Sequence, residues 1–526
     1  MLIKLTMLLI FFAVMVAIGL YCRKTASDVN GFVLGGRSVG PWLTAFAYGT
    51  SYFSAVVFVG YAGQFGWKYG IAATWAGIGN ALLGSLLAWV VLGRRTRIMS
   101  QHLDSATMPE FFGKRFGSPS LKVAASVIIF IFLIPYTASL YNGLSRLFGM
   151  AFDIDYTVCV IVMAVLTGVY VIAGGYMATA INDFIQGIIM LFGICAVILA
   201  VLNSQGGFLA ALEGLAQVSD PAVSSAPGVF ASFFGPDPVN LLGVVLLTSL
   251  GTWGLPQMVQ KFYAIKSEKS IDAGTVISTL FALVVAGGCY FLGGFGRLFA
   301  DRMEVVNGVP VGGYDAVIPT MLSGLPDLLM AVVVILVLSA SMSTLSSLVL
   351  TSSSTLTLDL IRDHLVKGMS QKKQVLVMRC LIVVFIAISV VLAIIQYKSN
   401  VTFIAQLMGV SWGALAGAFL APFLYGLYWK RTTPAAVWAS FATGIGITVS
   451  NMFLHYIASP INAGAVSMIV GLIIVPLVSL LTPRMDSRDI NAIFSCYDNL
   501  VEATTKKVLP DDQSFDSPAF KKRKKK

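Results

Sequence analysis

Ala47-Tyr48-Gly49-Thr50-Ser51-Tyr52-Phe53-Ser54 interrupts a run of apolar residues that otherwise reads from Pro41 to Phe65. A glycine and three small hydroxyl residues stand where a membrane helix favours aliphatic side chains. Such a stretch can unwind and free backbone carbonyls to hold a cation, because irregular backbone survives at membrane depth only against protein or a water-filled cavity. A small-residue face for close helix packing accounts for the same residues equally well. Further along, Leu250-Gly251-Thr252-Trp253-Gly254-Leu255-Pro256-Gln257 ends another apolar run, and its two glycines and proline predict a second broken helix. Paired breaks in corresponding helices of two repeats point to a central binding site. The spacing suits two five-helix units, residues 41–203 and 239–428.

Composition agrees with a membrane setting. Of 526 residues, 57% are hydrophobic and 11% charged, whereas soluble domains carry about a quarter charged residues. A hydrocarbon core of about 30 Å needs about 20 apolar residues per helix. Thirteen apolar runs are found, from Leu5–Tyr21 to Ala463–Leu481, so the expected class is an all-α polytopic membrane protein with about 13 transmembrane helices. Residues 1–40 hold an extra N-terminal helix and a cytoplasmic loop, 204–238 an external loop, 429–481 two C-terminal helices and 482–526 a basic cytoplasmic tail.

Arg23 and Lys24 follow the first run directly, while a signal peptide carries its charge ahead of the apolar stretch. The run therefore reads as a retained helix with its N-terminus outside, which puts the C-terminus inside. Alternation then assigns 29 of the 35 Lys and Arg to the inside, among them three from Lys261 to Lys269, and leaves Lys4, Lys68, Arg146, Arg297, Arg302 and Lys398 outside. That asymmetry is the positive-inside pattern. The net charge of +11 lies in short segments between apolar runs and in the tail Lys521–Lys526. It reports topology and contact with anionic headgroups, not a nucleic-acid partner. The six cysteines form no CxxC pair, the three histidines lack metal-ligand spacing, and no G-x-S-x-G elbow is present. Neither a zinc site nor an enzyme is expected, and no obligatory protein partner is evident. The sequon Asn400-Val401-Thr402 falls in an expected outer turn.

Two further polar stretches interrupt apolar runs. In Ser339-Ala340-Ser341-Met342-Ser343-Thr344-Leu345-Ser346-Ser347, the positions Ala340, Ser343, Thr344 and Ser347 share one helix face. Hydroxyls at Ser343 and Thr344 beside the Ala340 carbonyl suit a hard cation, or they bond back onto their own helix. Asn182-Asp183 follows Gly174-Gly175 and precedes Gln186. A carboxylate inside a membrane helix needs a partner, unless it caps the helix at the interface.

These residues resemble the sodium:solute symporter family over most of the chain. The specific pieces are FVLGGRSVGPW at Phe32 to Trp42, AGGYMATAINDFIQG at Ala173 to Gly187, GLPQ at Gly254 to Gln257 and SMSTLSS at Ser341 to Ser347. The resemblance is nearest to the pantothenate and proline transporters. It implies an inverted five-helix repeat working by alternating access, in a multi-pass plasma-membrane protein (the inner membrane in a Gram-negative cell). It also implies a coupling sodium held by the carbonyls of Thr50, Phe53 and Ala340 and the hydroxyls of Ser343 and Thr344. In some members a second sodium site matches Asp183, Ser346 and Ser347. By position the solute cavity includes Ser54, Val56, Tyr136, Thr252 and Trp253. Tyr52 stands where proline transporters carry an acidic residue and Val56 where they carry tryptophan, which points away from proline itself. The expected function is sodium-coupled import of a small carboxylate or zwitterion, such as an amino acid, pantothenate or a monocarboxylate. A transporter-like sensor or receptor and a proton-coupled symporter are the alternatives.

Overall fold

The computed structural model describes residues 2–498 apart from 153–154, 225, 307, 312 and 400–403. The sequon Asn400-Val401-Thr402 and the tail Lys521–Lys526 lie outside the described residues, as does the side chain of Arg146. Hydrocarbon offers no partner to a backbone N–H or C=O, so apolar chain crosses it as helix, which satisfies those groups within each segment. Among the described residues, 10 helices are long and apolar enough to cross, or 11 when the bent pair Pro238–Gly254 and Pro256–Ala264 is taken as one span.

The sequence reading had separated thirteen runs, and the difference arises at two glycines. Val56–His102 and Tyr156–Ser204 are continuous ribbons of 47 and 49 residues. A straight helix of that length would measure about 70 Å, more than twice the ~30 Å core. Each ribbon is broken once, at Gly70 (φ 61°, ψ −143°) and at Gly175 (φ 55°, ψ −147°). Only glycine adopts this backbone without strain. Space is equally restrictive, since a Cβ on Gly70 would lie 2.1 Å from the Phe230 carbonyl oxygen and one on Gly175 2.8 Å from that of Phe32. Both breaks fall in the gaps between apolar runs.

Burial sorts the helices into a centre and a rim. The apolar windows of Asp327–Leu365 and Leu407–Tyr428 are 83% and 94% buried, against 28% for Gln371–Lys398, which presents most of its surface to lipid. Leu2–Tyr21 packs along Tyr156–Ser204, and Pro434–Leu454 and Pro460–Leu481 pack on Ile404–Tyr428. The motif at Phe32 to Trp42 forms a tight turn in which Gly35, Gly36 and Arg37 all have positive φ. Val39 then makes a parallel bridge with Ile265, its N–H donating to the Ala264 carbonyl at 3.3 Å while its carbonyl accepts from Lys266 N–H at 2.9 Å. This bridge joins the entry of the first broken helix to the exit of the second.

Segment 103–118 is held by a buried charge network. Thr107 caps the helix Met108–Phe116 by accepting from Glu110 N–H at 3.1 Å, and the Glu110 carboxylate accepts from the N–H of Ala106, one residue before the cap, at 2.8 Å. Glu110 also meets Lys114 at 3.1 Å, Arg362 at 3.7 Å and Lys122 at 3.9 Å, and Lys122 pairs with Asp363 as well. Burial pushes the Glu110 carboxyl up, but Lys114, Lys122 and Arg362 outweigh it and hold the group well below the usual carboxylate range. A depressed carboxyl contributes stability that is complete above its unfolded value of about 4.3 and is lost as pH falls toward its folded one. Glu110→Ala is expected to destabilise the protein by about 2 kcal/mol, because it removes the buried carboxylate that three cations share and that accepts from Ala106 N–H, while Lys122 and Arg362 keep Asp363. Thermal unfolding of purified protein in detergent at neutral pH checks this, and an unchanged midpoint would show the network to be inert.

Candidate functional site

The helix Pro41–Tyr52 stops where Phe53 turns extended (φ −103°, ψ 121°), and helical pairing resumes when Val57 and Phe58 N–H donate to the Ser54 carbonyl, each at 3.0 Å. Carbonyls in the last turn of a helix lack intrahelical partners. The carbonyl of Thr50, which accepts from Phe53 N–H at 3.2 Å, and that of Phe53 face the serine- and threonine-rich helix Asp327–Thr355. There Ser343 Oγ lies 3.1 Å from the Thr50 oxygen and 3.2 Å from that of Ala340. Thr344 Oγ1 lies 3.2 Å from the carbonyl oxygens of Thr50, Phe53 and Ala340, and 3.5 Å from that of Ser51. A hydroxyl has one proton to donate. Thr344 therefore satisfies one of these carbonyls, and the remaining oxygens converge with lone pairs turned toward one another. Such a cluster favours a hard cation. Thr50, Phe53, Ala340, Ser343 and Thr344 are thus brought together, and both hydroxyls also lie within hydrogen-bond reach of the Ala340 carbonyl of their own helix.

Asp183, Ser346 and Ser347 stand beside this cluster. Asp183 does not cap a helix at the interface. It is fully buried inside Tyr156–Ser204, and neither carboxylate oxygen accepts a hydrogen bond. Ser346 Oγ donates to the Ser343 carbonyl of its own helix at 2.9 Å. Ser347 Oγ lies 2.8 Å from Ser51 Oγ in the broken helix and accepts from Lys261 Nζ at 3.0 Å. The sequence reading had counted Lys261 among cytoplasmic loop charges. Instead it is 1% exposed, within Pro256–Ala264, and its Nζ is 4.0 Å from Asp183 Oδ2. Alternation of loop charge carries no signal for a lysine drawn into the bundle.

The five residues expected around a solute divide into two groups. Ser54, Val56 and Tyr136 are completely buried. The Tyr136 hydroxyl faces Ser54 and Trp412, yet Ser54 Oγ, the Tyr136 hydroxyl and Trp412 Nε1 make no hydrogen bond of ordinary geometry. Three groups that can donate a hydrogen bond therefore converge. Around them Trp412 stacks on Tyr52 at 6.0 Å and meets Tyr136 edge-on at 5.8 Å. By contrast, Thr252 and Trp253 turn their polar atoms away. Thr252 Oγ1 donates among the Gly84 and Ser249 carbonyls at 3.1 and 2.8 Å, and Trp253 Nε1 donates to the Leu83 carbonyl at 2.9 Å. The second break still bears on this group, because Gly251 leaves room for Trp412, whose ring would be 2.9 Å from a Cβ there. Trp412 escaped the sequence reading. Its signal was a lone tryptophan between Ser411 and Gly413 in the middle of an apolar run.

Comparison with known proteins agrees with this architecture. The family model described as the sodium:solute symporter family matches residues 32–444. The osmoregulated proline transporter OpuE of Bacillus subtilis is 29% identical over 484 residues, covering 90% of this chain and 94% of that protein. The sodium/proline symporter of Staphylococcus aureus is 30% identical over 453 residues, covering 84% of each. Among solved structures, a Na⁺-coupled sialic acid symporter in a substrate-bound, outward-open state superimposes with a TM-score of 0.73 at 15% identity, over 92% of this chain and 99% of that one, which establishes the shared fold. Matched over most of its length, and built of apolar helices around a broken pair, the chain belongs to the sodium:solute symporter family and is a multi-pass transport protein of the plasma membrane.

Proposed function

We propose that the protein is a sodium-coupled secondary active symporter that imports a small carboxylate or zwitterion, such as an amino acid, pantothenate or a monocarboxylate, by alternating access. The observation that carries this reading is the convergence of the Thr50, Phe53 and Ala340 carbonyls with the Ser343 and Thr344 hydroxyls, all within 3.1 to 3.2 Å of a neighbour. A Na⁺ among them joins the broken helix to Asp327–Thr355 and orders Ser54, the next residues of the same break, for the solute. Coupling is this shared ordering. One charge moving down 100 mV gains about 2.3 kcal/mol, enough for roughly 40-fold accumulation before the chemical gradient is added. The names of the relatives, which specify proline, favour a small zwitterion. Ser54, Tyr136 and Trp412 offer donors to its anionic end and aromatic walls to its body, while Tyr52 in place of an acid argues for a different solute from proline.

Thirteen crossings, with the N-terminus outside and the C-terminus inside, complete the proposal. Supporting it, the break at Gly175 divides Tyr156–Ser204 into two runs of spanning length, and the break at Gly70 separates one crossing, Pro41–Tyr52 continued by Val56 to Tyr69, from the next. Charge pairs also stay within one assigned side. Lys4 with Asp327 and Arg297 with Asp220 join segments assigned outside, and Arg94 with Glu268 and Lys114 with Glu110 join segments assigned inside. The two five-helix units between residues 41–203 and 239–428 follow from the same count, and each opens with a helix broken at one extended residue, Phe53 and Leu255.

Uptake into proteoliposomes tests the coupling. With labelled pantothenate, proline, other amino acids and short monocarboxylates, an inward Na⁺ gradient is expected to drive concentrative uptake of one class, and Thr344→Ala to lower it at least tenfold. Uptake driven by a proton gradient and untouched by Thr344→Ala would show the oxygen cluster to be unrelated to coupling. For the cavity, Trp412→Ala is expected to raise KM for the solute about tenfold, the loss of roughly 1.4 kcal/mol, with the Na⁺ dependence retained; an unchanged KM would move the solute elsewhere. Topology is read from single cysteines in intact cells, where an impermeant maleimide is expected to label Ser323→Cys and spare Lys430→Cys. The reverse pattern would invert the proposed orientation.

A further inference from the structure

Between Asp183 and Ser347 there already lies a cation that belongs to the chain. The Lys261 ammonium donates to Ser347 Oγ at 3.0 Å, lies 4.0 Å from Asp183 Oδ2 and sits 5.1 Å above the ring centre of Tyr176. A hydroxyl oxygen, a carboxylate and a π face, three kinds of group that stabilise positive charge, therefore surround it. Asp183 is fully buried with no hydrogen-bond donor to either oxygen, so its charge depends on a neighbouring cation. Among the described residues, the cation paired with it is Lys261.

We infer that Lys261 is a tethered cation occupying the second cation position, so that the protein binds one Na⁺ per cycle; this rests on the sodium-symport reading of the first site. A Na⁺ ligated by Asp183 and Ser347 would need oxygens at contact distance, and one of those oxygens already receives the ammonium. Two positive charges that close, in a bundle without bulk water, exclude each other. The tether also has a mechanical consequence. Lys261 lies on the lower half of the second broken helix, Ser347 on the helix that carries Ser343 and Thr344, and Ser51 on the first broken helix next to Thr50. The chain Lys261, Ser347, Ser51 thus links three elements around the first site, and its charge does not leave when the transporter empties.

Binding of ²²Na⁺ to the purified full-length protein tests this by stoichiometry. The wild type is expected to hold one Na⁺, Lys261→Met two, and the double variant Lys261→Met/Asp183→Asn one again. In transport, the Hill coefficient for Na⁺ is expected to rise from about 1 to about 2 in Lys261→Met, as a second site is added. The gain between wild type and Lys261→Met carries the inference, whereas the wild-type count carries the symport reading. A wild type that binds none sinks the symport reading, yet a gain from none to one would still support the tethered cation. No gain on removing the lysine overturns it. If Lys261→Met does not fold, Lys261→Gln serves the same comparison, and two Na⁺ on the wild type overturns the inference without any variant.

Discussion

The structure depends on how carbonyl oxygens released by a broken helix are satisfied where there is no water. A helix interrupted at membrane depth leaves strong acceptors facing a medium without donors, and each costs several kcal/mol if nothing meets it. Here the acceptors of Thr50 and Phe53 turn toward the hydroxyls of Ser343 and Thr344. Those hydroxyls hold fewer protons than the carbonyls around them could accept. The mismatch is a small standing deficit of positive charge at the centre of the protein, and it accounts for a buried helix, Asp327–Thr355, that is rich in serine and threonine. Surrounding helices follow from this arrangement, since a polar centre of this kind must be enclosed on every side before it can sit in lipid.

Much of this was legible in the sequence, because helix type and burial are both written in the distribution of apolar residues. Helical spacing put Ala340, Ser343, Thr344 and Ser347 on one face and left both a cation and bonds back onto the helix open, and the glycine and hydroxyl cluster at Gly49 to Ser54 allowed either a break or a packing face. What remained hidden was which polar atoms turn toward one another across helices. Thr252 and Trp253 lie at a break just as Ser54 does, but their polar atoms are taken up by the carbonyls of Leu83 and Gly84, a choice fixed by the packing of distant helices. Trp412 was hidden for the opposite reason, since an aromatic residue in an apolar run has no periodicity to distinguish a cavity wall from a lipid-facing ring. Lys261 was misread because a basic residue near the end of a run looks the same whether it reaches water or the interior.

The two ribbons illustrate a related limit. Their continuity through Gly70 and Gly175 reflects hydrogen bonding that persists on both sides of one left-handed residue, while the apolar pattern recorded only a gap. Both descriptions concern the same atoms. Sequence marks where lipid exposure ceases, and structure shows how little backbone is needed to turn there.

The parallel bridge between Val39 and Ile265 has a consequence for the working cycle. It consists of two backbone hydrogen bonds, each contributing a net 0.5–1.5 kcal/mol or about that. Such a clasp is strong enough to bias the joined ends of the two broken helices toward staying together and weak enough to be undone by thermal motion. Because it is made by main-chain atoms, side-chain replacement at either residue leaves its chemistry in place. Its geometry therefore resides in the turn that aims Val39, where Gly35, Gly36 and Arg37 share positive φ, so that a few backbone dihedrals set how the two broken helices are clasped.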